Sequence, residues 1–219
     1  MIHFNNVTKY YKIKSDKHFI LQDVNYKFPD KTSIAILGKN GAGKSTLLRM
    51  MGGIELANSG QINSNCSISW PVGLASGFQA SISAKDNIKF VCRIYNKSLS
   101  ETKNIIDFVE DFAELGKFFT MPIRTYSSGM KGRVNFGLSM AFDFDYYLID
   151  EVVGVGDKNF KDKAKKAFDE RRKKASLIMV SHNMHQLKEN CDMAIYLSNG
   201  QFTVYDNIDD AIKAYQSNK

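Results

Sequence analysis

The sequence predicts an α/β fold in which short buried strands end at polar residues on one edge of a sheet. Three apolar runs of strand length, at 34–37, 146–149 and 176–180, carry this prediction. A glycine-rich loop follows the first run, Asp150-Glu151 the second and Ser181-His182 the third. Because ligands bind at the carboxyl edge of the strands in open α/β sheets, we expect these endings to form one site.

The loop after the first strand, Gly38-Lys39-Asn40-Gly41-Ala42-Gly43-Lys44-Ser45-Thr46, matches the phosphate-binding pattern G-x-x-x-x-G-K-[ST]. Its glycines let the backbone fold tightly with N–H groups towards phosphate oxygens, and the following helix adds its positive dipole end. A strand before the loop and a helix after it disfavour the alternative of a chance glycine-rich turn. Lys44 is expected to reach the β- and γ-phosphates, and Ser45 to ligate Mg²⁺. The predicted nucleotide-binding residues in the loop are Gly38, Asn40, Gly41, Gly43, Lys44, Ser45 and Thr46.

The other two strand endings supply candidate catalytic residues. Asp150 suits Mg²⁺ binding, directly or through water, and Glu151 is placed to polarise the water that attacks the γ-phosphate. His182 is predicted to contact the γ-phosphate or to orient Glu151, as a hydrogen-bonding imidazole. The predicted catalytic set is therefore Glu151, His182 and Lys44, although acids also end buried strands and a histidine there is often an ordinary loop residue.

The intervening sequence is predicted to be mainly helical. Residues 1 to about 65 should form antiparallel strands, the phosphate loop and its helix, and helical spacing begins near residue 83. The core should resume at Phe144 and end with a strand at 193–197 and a helix near 208–215. Ser127 is predicted to cap a helix over 130–142, and a structural cap alone would explain this serine. Two apolar stripes mark the earlier helices: Ile88, Val91, Ile94 and Tyr95, followed by Ile105, Phe108, Val109 and Phe112.

Composition narrows the class of protein. The 219 residues carry a net charge of +7, with much of the positive charge between residues 158 and 174. That segment is either an exposed helix face or a binding surface; without a nucleic-acid-binding motif, we expect no nucleic-acid partner. The three cysteines show no pairing pattern and no apolar run is long enough to span a bilayer, so a cytoplasmic location is expected.

Together these motifs resemble the ATP-binding subunit of an ABC transporter along essentially the whole chain. Residues 38–45 resemble the Walker A loop, 146–150 the Walker B strand, and Glu151 the catalytic glutamate. The run Ser127-Ser128-Gly129-Met130 resembles the ABC signature, with Arg133 just beyond it, and 154–157 resembles the D-loop. The resemblance assigns further roles. It implies that His182 is the switch histidine and that Tyr11, or alternatively Tyr10, stacks on the adenine. It also implies that Gln79 is the Q-loop glutamine and a Mg²⁺ ligand, and that Ser127 and Gly129 contact the ATP bound by the opposite copy.

The resemblance implies an architecture and partners. The expected fold is an α/β P-loop NTPase core of the RecA-like type, with an N-terminal antiparallel β subdomain and an inserted helical subdomain at about 83–140, in one domain over 1–219. The expected cofactors are ATP and Mg²⁺. A second copy of the chain should close the ATP site in a head-to-tail dimer. A transmembrane permease should dock near Trp70, Phe78 and Gln79, at the cytoplasmic face of the inner membrane.

Several segments narrow the resemblance to one branch of this family. Ser69-Trp70-Pro71, Gly77-Phe78-Gln79 and Tyr126-Ser127-Ser128-Gly129-Met130 resemble the ATPase subunit of capsular polysaccharide exporters of the polysialic-acid type. An ATPase for another cargo, such as a lipid, O-antigen or drug, is the first alternative. A soluble ABC-type ATPase in DNA repair or translation is the second, supported by the positive charge but not by any fused second ATPase domain or coiled-coil insertion.

Overall fold

The computed structural model describes residues 1–72, 78–150 and 157–217, which form two compact units. Among these residues, the first unit takes 1–71, 144–150 and 174–217. The second takes 72, 78–143 and 157–173. No helix within the described ranges is long and apolar enough to cross a membrane.

The first unit begins with a three-stranded antiparallel sheet, as the sequence predicts. Its strands are β1 (Ile2–Ile13), β2 (Asp16–Lys27) and β4 (Ser59–Ser64), in the order β2-β1-β4. Alternate residues of β1 are buried, including Ile2, Phe4 and Val7, because successive side chains of a strand point to opposite faces. The buried face of this sheet packs into the same hydrophobic cluster as Ile34 and Leu48 of the unit's interior.

A six-stranded sheet forms the interior of the first unit. Its strands are β3 (Ile34–Gly38), β5 (Ile68–Val72), β6 (Tyr146–Asp150), β7 (Ser176–Val180), β8 (Met193–Ser198) and β9 (Gln201–Tyr205). Their order in the sheet is β5-β6-β7-β3-β8-β9. The strand β3 is parallel to both of its neighbours, and β6 is parallel to β7. Continuous apolar runs such as 176–180 are buried throughout because helices and the N-terminal sheet cover both faces.

Three helices complete the first unit: α1 (Lys44–Met51), α6 (Met184–Asn190) and α7 (Ile208–Ser217). The predicted final strand and closing helix are confirmed, but the sequence analysis did not predict β9. This strand pairs with β8 through a tight turn at Asn199 and Gly200, whose φ angles are 50° and 77°. An Asn-Gly pair is the usual signal of such a hairpin.

The second unit is helical and contains the segment 83–140, together with the helix at Lys158–Arg172. Buried Ile88, Val109, Phe136 and Phe160 fill its interior. Each helix begins at a residue whose side chain accepts a hydrogen bond from the first turn: Ser83, Ser98, Ser127 and Asp157. The helices are α2 (Ala84–Ile94), α3 (Leu99–Ala113), α4 (Ser128–Ala141) and α5 (Lys158–Arg172), with 3₁₀ turns at Gly116–Thr120 and Ile123–Thr125.

Two sequence predictions in this unit need correction. The helix predicted over 130–142 runs from Ser128 to Ala141, since Ser127 itself is the cap. The apolar stripe predicted for α2 is only partly buried: Ile88 is inaccessible, whereas Ile94 is 64% exposed. The buried face of α2 instead includes Asn87. A prediction from the spacing of apolar residues misses this position because asparagine is polar.

The amide of Asn87 can be buried because it forms hydrogen bonds with backbone groups of the loop before α2. Its Oδ1 accepts the Gln79 N–H at 2.7 Å, and its Nδ2 donates to the carbonyls of Gln79 at 3.1 Å and Ser83 at 2.9 Å. One side chain therefore satisfies both backbone groups of Gln79. The clamp fixes the loop that leads into α2.

We predict that Asn87→Ala lowers the free energy of unfolding by about 1–3 kcal/mol, because it leaves the partly buried Gln79 N–H without the acceptor that it has in the wild type. Urea unfolding of the full chain measures this change. The matched control is Asn104→Ala, at an exposed position of α3, which should change the value little. Equal stabilities of the two variants would contradict the role of the clamp.

Candidate nucleotide-binding site

The carboxyl ends of β3, β6 and β7 open onto one cavity of about 460 Å³ in the first unit. This volume lies in the range of small-molecule sites. The parallel alignment of the three strands places their endings together, as the sequence analysis expects. The predicted site residues that line the cavity are Tyr11, Asn40, Gly41, Gly43, Lys44, Ser45, Thr46, Asp150 and His182.

Close packing explains two of the loop glycines. A Cβ at Gly38 would lie 2.7 Å from the carbonyl oxygen of Leu197, and one at Gly43 would lie 2.2 Å from Cγ2 of Ile20. Gly43 also has a φ of 96°, in the left-handed region that favours glycine. A side chain at either position would therefore force the loop away from the strands beside it.

The loop is arranged to receive an anion. The Lys44 ammonium donates to the carbonyl oxygens of Gly38 at 2.8 Å and Lys39 at 3.1 Å, so it is held across the loop. Gly43, at the start of α1, supplies no side-chain cap, and the first turn contains no acidic residue. The N–H groups of that turn and the helix dipole therefore favour a bound phosphate.

The donors present fit Mg²⁺ bound together with phosphate. The Ser45 hydroxyl and the Asp150 carboxylate line the same cavity, and both are oxygen ligands of the kind that Mg²⁺ prefers. Within the described ranges, no cluster of three or more His, Cys, Asp or Glu residues is suited to hold a metal by protein ligands alone.

Tyr11, rather than the alternative Tyr10, lies at the cavity. The Tyr11 hydroxyl donates to Oε1 of Glu55 and lies 3.3 Å from Oγ1 of Thr46. The ring of Tyr10 instead packs against Phe19, with the ring centroids 5.5 Å apart. Neighbouring residues of a strand face opposite sides, so only one of the two tyrosines can face the loop.

Three residues near Tyr11 were not predicted as part of the site. His18 and Ile20 of β2 line the cavity, and Glu55 binds the Tyr11 hydroxyl. The β1–β2 hairpin pairs His18 with Tyr11, so a correct register would have identified it. Glu55 carries no motif that marks it, because its partners come together only in the folded chain.

Glu55 is held as a carboxylate by several donors. Lys9 Nζ lies 2.8 Å from Oε1 and Arg49 Nε lies 3.0 Å from Oε2. Burial acts to raise the pKa of Glu55, but the hydrogen bonds from Lys9, Tyr11 and Arg49 outweigh it and lower the pKa from 4.5 to about 2. The carboxylate is therefore charged throughout the physiological range.

The remaining predicted contacts belong to the second unit. Ser127 is exposed and accepts the Met130 N–H at 3.2 Å, and a Cβ at Gly129 would meet only Ser127 Oγ, at 3.8 Å. The exposed Gln79 side chain donates to Ser81 Oγ at 3.2 Å. Their assignments to nucleotide or metal stay predictions.

The end of the predicted D-loop has a structural role in the second unit. Asp157 accepts the Phe160 N–H at 2.9 Å and an Arg133 hydrogen bond at 2.7 Å. The Phe160 hydrogen bond, followed by the charge of Arg133, lowers the pKa of Asp157. Glu151 and residues 154–156 lie outside the described residues.

Among the proposed docking residues, Trp70 is half-buried, and its ring meets Phe144 edge-on at 5.3 Å within the first unit. Phe78, in the second unit, is also half-buried. Neither side chain is fully enclosed, so both retain surface that a partner can contact.

Comparison with known proteins shows the family of this chain. A family model described as ABC transporter matches residues 21–154, and the chain belongs to that family. The chain is 52% identical to the polysialic acid transport ATP-binding protein KpsT of Escherichia coli, over 99% of this chain and 96% of that one. It is 43% identical to the capsule polysaccharide export ATP-binding protein CtrD of Neisseria meningitidis serogroup B, over 99% of each.

Solved structures confirm the predicted fold class. A dimeric ATP-binding cassette in a post-hydrolysis state, bound to ADP and phosphate, superposes with a TM-score of 0.73 over 92% of this chain and 96% of that one. An ATP-binding subunit of an ABC transporter superposes with a TM-score of 0.75 over 99% of this chain and 93% of that one. Their identities are 20% and 18%, so the likeness concerns the fold.

The lowered pKa of Glu55 predicts a pH dependence of stability. A carboxylate with a depressed folded-state pKa stabilises the fold above its unfolded pKa of 4.5 and loses that contribution as pH falls towards about 2. We expect Glu55→Gln to lower the free energy of unfolding at pH 7, and this deficit to shrink below about pH 4.5. Urea unfolding at pH 7, 5, 4 and 3 measures it.

The matched control is Glu110→Gln, an exposed position on α3. Its difference from the wild type should be small at every pH. A Glu55→Gln deficit that stayed constant from pH 7 to pH 3 would show that the charge of Glu55 does not contribute to stability.

Proposed function

We propose that this chain is the ATP-binding and ATP-hydrolysing subunit of a transporter that exports capsular polysaccharide with a separate transmembrane permease. The observation that carries the proposal is the convergence of Lys44, Asp150 and His182 on one cavity at the carboxyl edge of the sheet. The cargo is supported by the names of the relatives that are 52% and 43% identical. The proposed location is the cytoplasmic face of the inner membrane.

ATP binding relies on the loop and the lysine. The first-turn N–H groups of α1 bind the phosphates, and Lys44 exchanges its carbonyl partners for the β- and γ-phosphate oxygens. Ser45 and Asp150, with Gln79, would hold Mg²⁺ in this proposal, and the ion would neutralise phosphate charge. The Tyr11 ring stacks on the adenine, at the end of the nucleotide away from the phosphates that the loop binds.

Hydrolysis needs an oriented water near the γ-phosphate. Glu151, directly after Asp150 in the sequence, accepts the proton of the attacking water as general base. His182 donates a hydrogen bond to the γ-phosphate or orients Glu151, and either role uses its position at the cavity.

A second copy of the chain completes the site in this proposal. Ser127 and Gly129 of that copy contact the γ-phosphate from the opposite side, in a head-to-tail dimer. Ser127 is exposed and Gly129 is partly exposed, which leaves both available for this contact, and a solved cassette with the same fold is described as dimeric. Loss of the γ-phosphate then removes interface contacts and opens the dimer.

The permease uses the dimer's opening to move its cargo. We assign its docking to the surface near Trp70, Phe78 and Gln79. In this proposal Gln79 has two roles, at the docking surface and as a Mg²⁺ ligand of the nucleotide site. Its backbone is held by the hydrogen bonds of Asn87.

Lys44→Ala tests nucleotide binding and export together. The loss of charge-assisted hydrogen bonds should weaken ATP binding roughly 10- to 100-fold and abolish turnover. In cells whose own gene for this chain is deleted, the variant should not restore polysaccharide to the surface. Calorimetric titration with ATP and surface staining of the polysaccharide measure the two effects.

Lys103→Ala, an exposed position on α3, is the matched control and should bind ATP and restore export. Wild-type ATP hydrolysis by the Lys44 variant would overturn the site. A deletion strain with a normal surface polysaccharide but without another surface lipid or O-antigen would overturn the cargo and leave the ATPase intact.

Glu151→Gln tests the chemistry. It keeps the shape of the side chain but loses the negative charge that accepts the proton, so hydrolysis should fall roughly 10²–10⁴-fold while ATP still binds. Trapped ATP should hold the chain as a dimer in size-exclusion chromatography with ATP, either alone or with its permease. Glu110→Gln is the control, and unchanged hydrolysis by Glu151→Gln would reject the general base.

A further inference from the structure

We propose that Glu55 is a positioning residue for the nucleotide base. It fixes the orientation of the Tyr11 ring and ties that ring to the first turns of α1. The inference rests on the proposed binding of ATP and extends it to a residue that no motif marks. Glu55 lies between α1 and β4, outside the phosphate loop.

Both oxygens of the Glu55 carboxylate are used. Oε1 accepts hydrogen bonds from Lys9 and Tyr11 of β1, and Oε2 accepts one from Arg49 of α1. One side chain therefore joins the N-terminal sheet to the helix that follows the phosphate loop. Hydrogen bonds to an ionised acceptor are the strongest available to a tyrosine hydroxyl in a protein.

Thr46 closes a second path between the same elements. Its Oγ1 lies 3.3 Å from the Tyr11 hydroxyl and accepts a hydrogen bond from Arg49 Nη2 at 3.2 Å. Thr46 is the residue after Ser45, the proposed Mg²⁺ ligand. The closed ring of contacts, Tyr11–Glu55–Arg49–Thr46, thus sets the tyrosine relative to the phosphate end of the site.

The tether acts on a side chain that is otherwise partly in solvent. Tyr11 is 38% exposed, so an untethered ring would sample several orientations and lose that freedom when a base stacks on it. The Lys9 ammonium lies over the ring, 5.2 Å from its centroid, and covers that face. We assign the base to the opposite face.

A purely structural role for Glu55 makes a different prediction. Glu55 also neutralises Lys9, which is only 8% exposed, and Arg49. If that were its whole contribution, its loss would lower stability and affect every ligand of the loop alike. The positioning role instead affects ligands that carry a base.

The test compares ATP with inorganic tripolyphosphate, which has the phosphates but no base. Glu55→Gln and Tyr11→Phe, each in the full chain with Mg²⁺, should weaken ATP binding about 2- to 10-fold, as expected for one side chain that loses its preorganisation. Tripolyphosphate binding should not change. In turnover assays KM for ATP should rise while kcat at saturating ATP stays within error.

Both substitutions act on the same contact: Glu55→Gln removes the charge of the acceptor and Tyr11→Phe removes the donor. The double variant should therefore bind ATP no more weakly than Tyr11→Phe alone. Tyr10→Phe is the matched control for Tyr11→Phe, since Tyr10 is the preceding residue of β1 and its ring packs against Phe19. Glu110→Gln is the control for the glutamine change. Both should bind ATP as the wild type does.

Three results would overturn the inference. They are unchanged ATP binding by both variants, an equal loss of affinity for tripolyphosphate, or additive losses in the double variant. Tyr11→Phe keeps the test decisive even if Glu55→Gln unfolds, because it leaves the Glu55 ion pairs in place. A wild-type chain that bound neither ATP nor tripolyphosphate would overturn the proposed function, and this inference with it.

Discussion

The parallel alignment of β6, β7 and β3 is the constraint on which the site depends. Leu148 of β6 and Ile34 of β3 both pair with Ile178 of β7, so the three strands run level and end at the same edge. The phosphate loop, Asp150 and His182 therefore meet at one cavity although long segments separate them in the chain. The packing of apolar strands thus brings the polar groups together at one edge of the sheet.

The N-terminal sheet is part of the same site, because it packs too closely on the loop to be independent of it. Ile20 of β2 occupies the space that a Cβ at Gly43 would need, and β1 contributes Tyr11. The loop glycines thus serve two requirements: access of backbone N–H groups to phosphate and contact with the neighbouring strands. The hydrogen bonds of Glu55 join the sheet and α1 across this contact.

The sequence predicted best those features that depend on local pattern. The runs that became β6 and β7 are continuous and apolar, and the loop motif has fixed spacing, so both were located correctly. β9 alternates polar and apolar residues over a short span and was missed, although Asn199-Gly200 marks its turn. Asn87 and Glu55 could not be found, because their roles depend on partners that only the tertiary fold brings near. Hydrophobic spacing has no means of identifying a buried polar clamp.

The sequence analysis treated a helix cap and a nucleotide contact as competing explanations of Ser127, but hydroxyl chemistry makes them compatible. A serine hydroxyl has two acceptor positions and one donor proton, and the cap to the Met130 N–H uses only an acceptor position. The cap holds Oγ in a defined place at the start of α4, with the side chain exposed. The remaining proton is the group that a phosphate oxygen requires. A serine that caps its own helix therefore keeps a hydroxyl proton available for an anion, so the observed cap is compatible with the contact that we propose for Ser127.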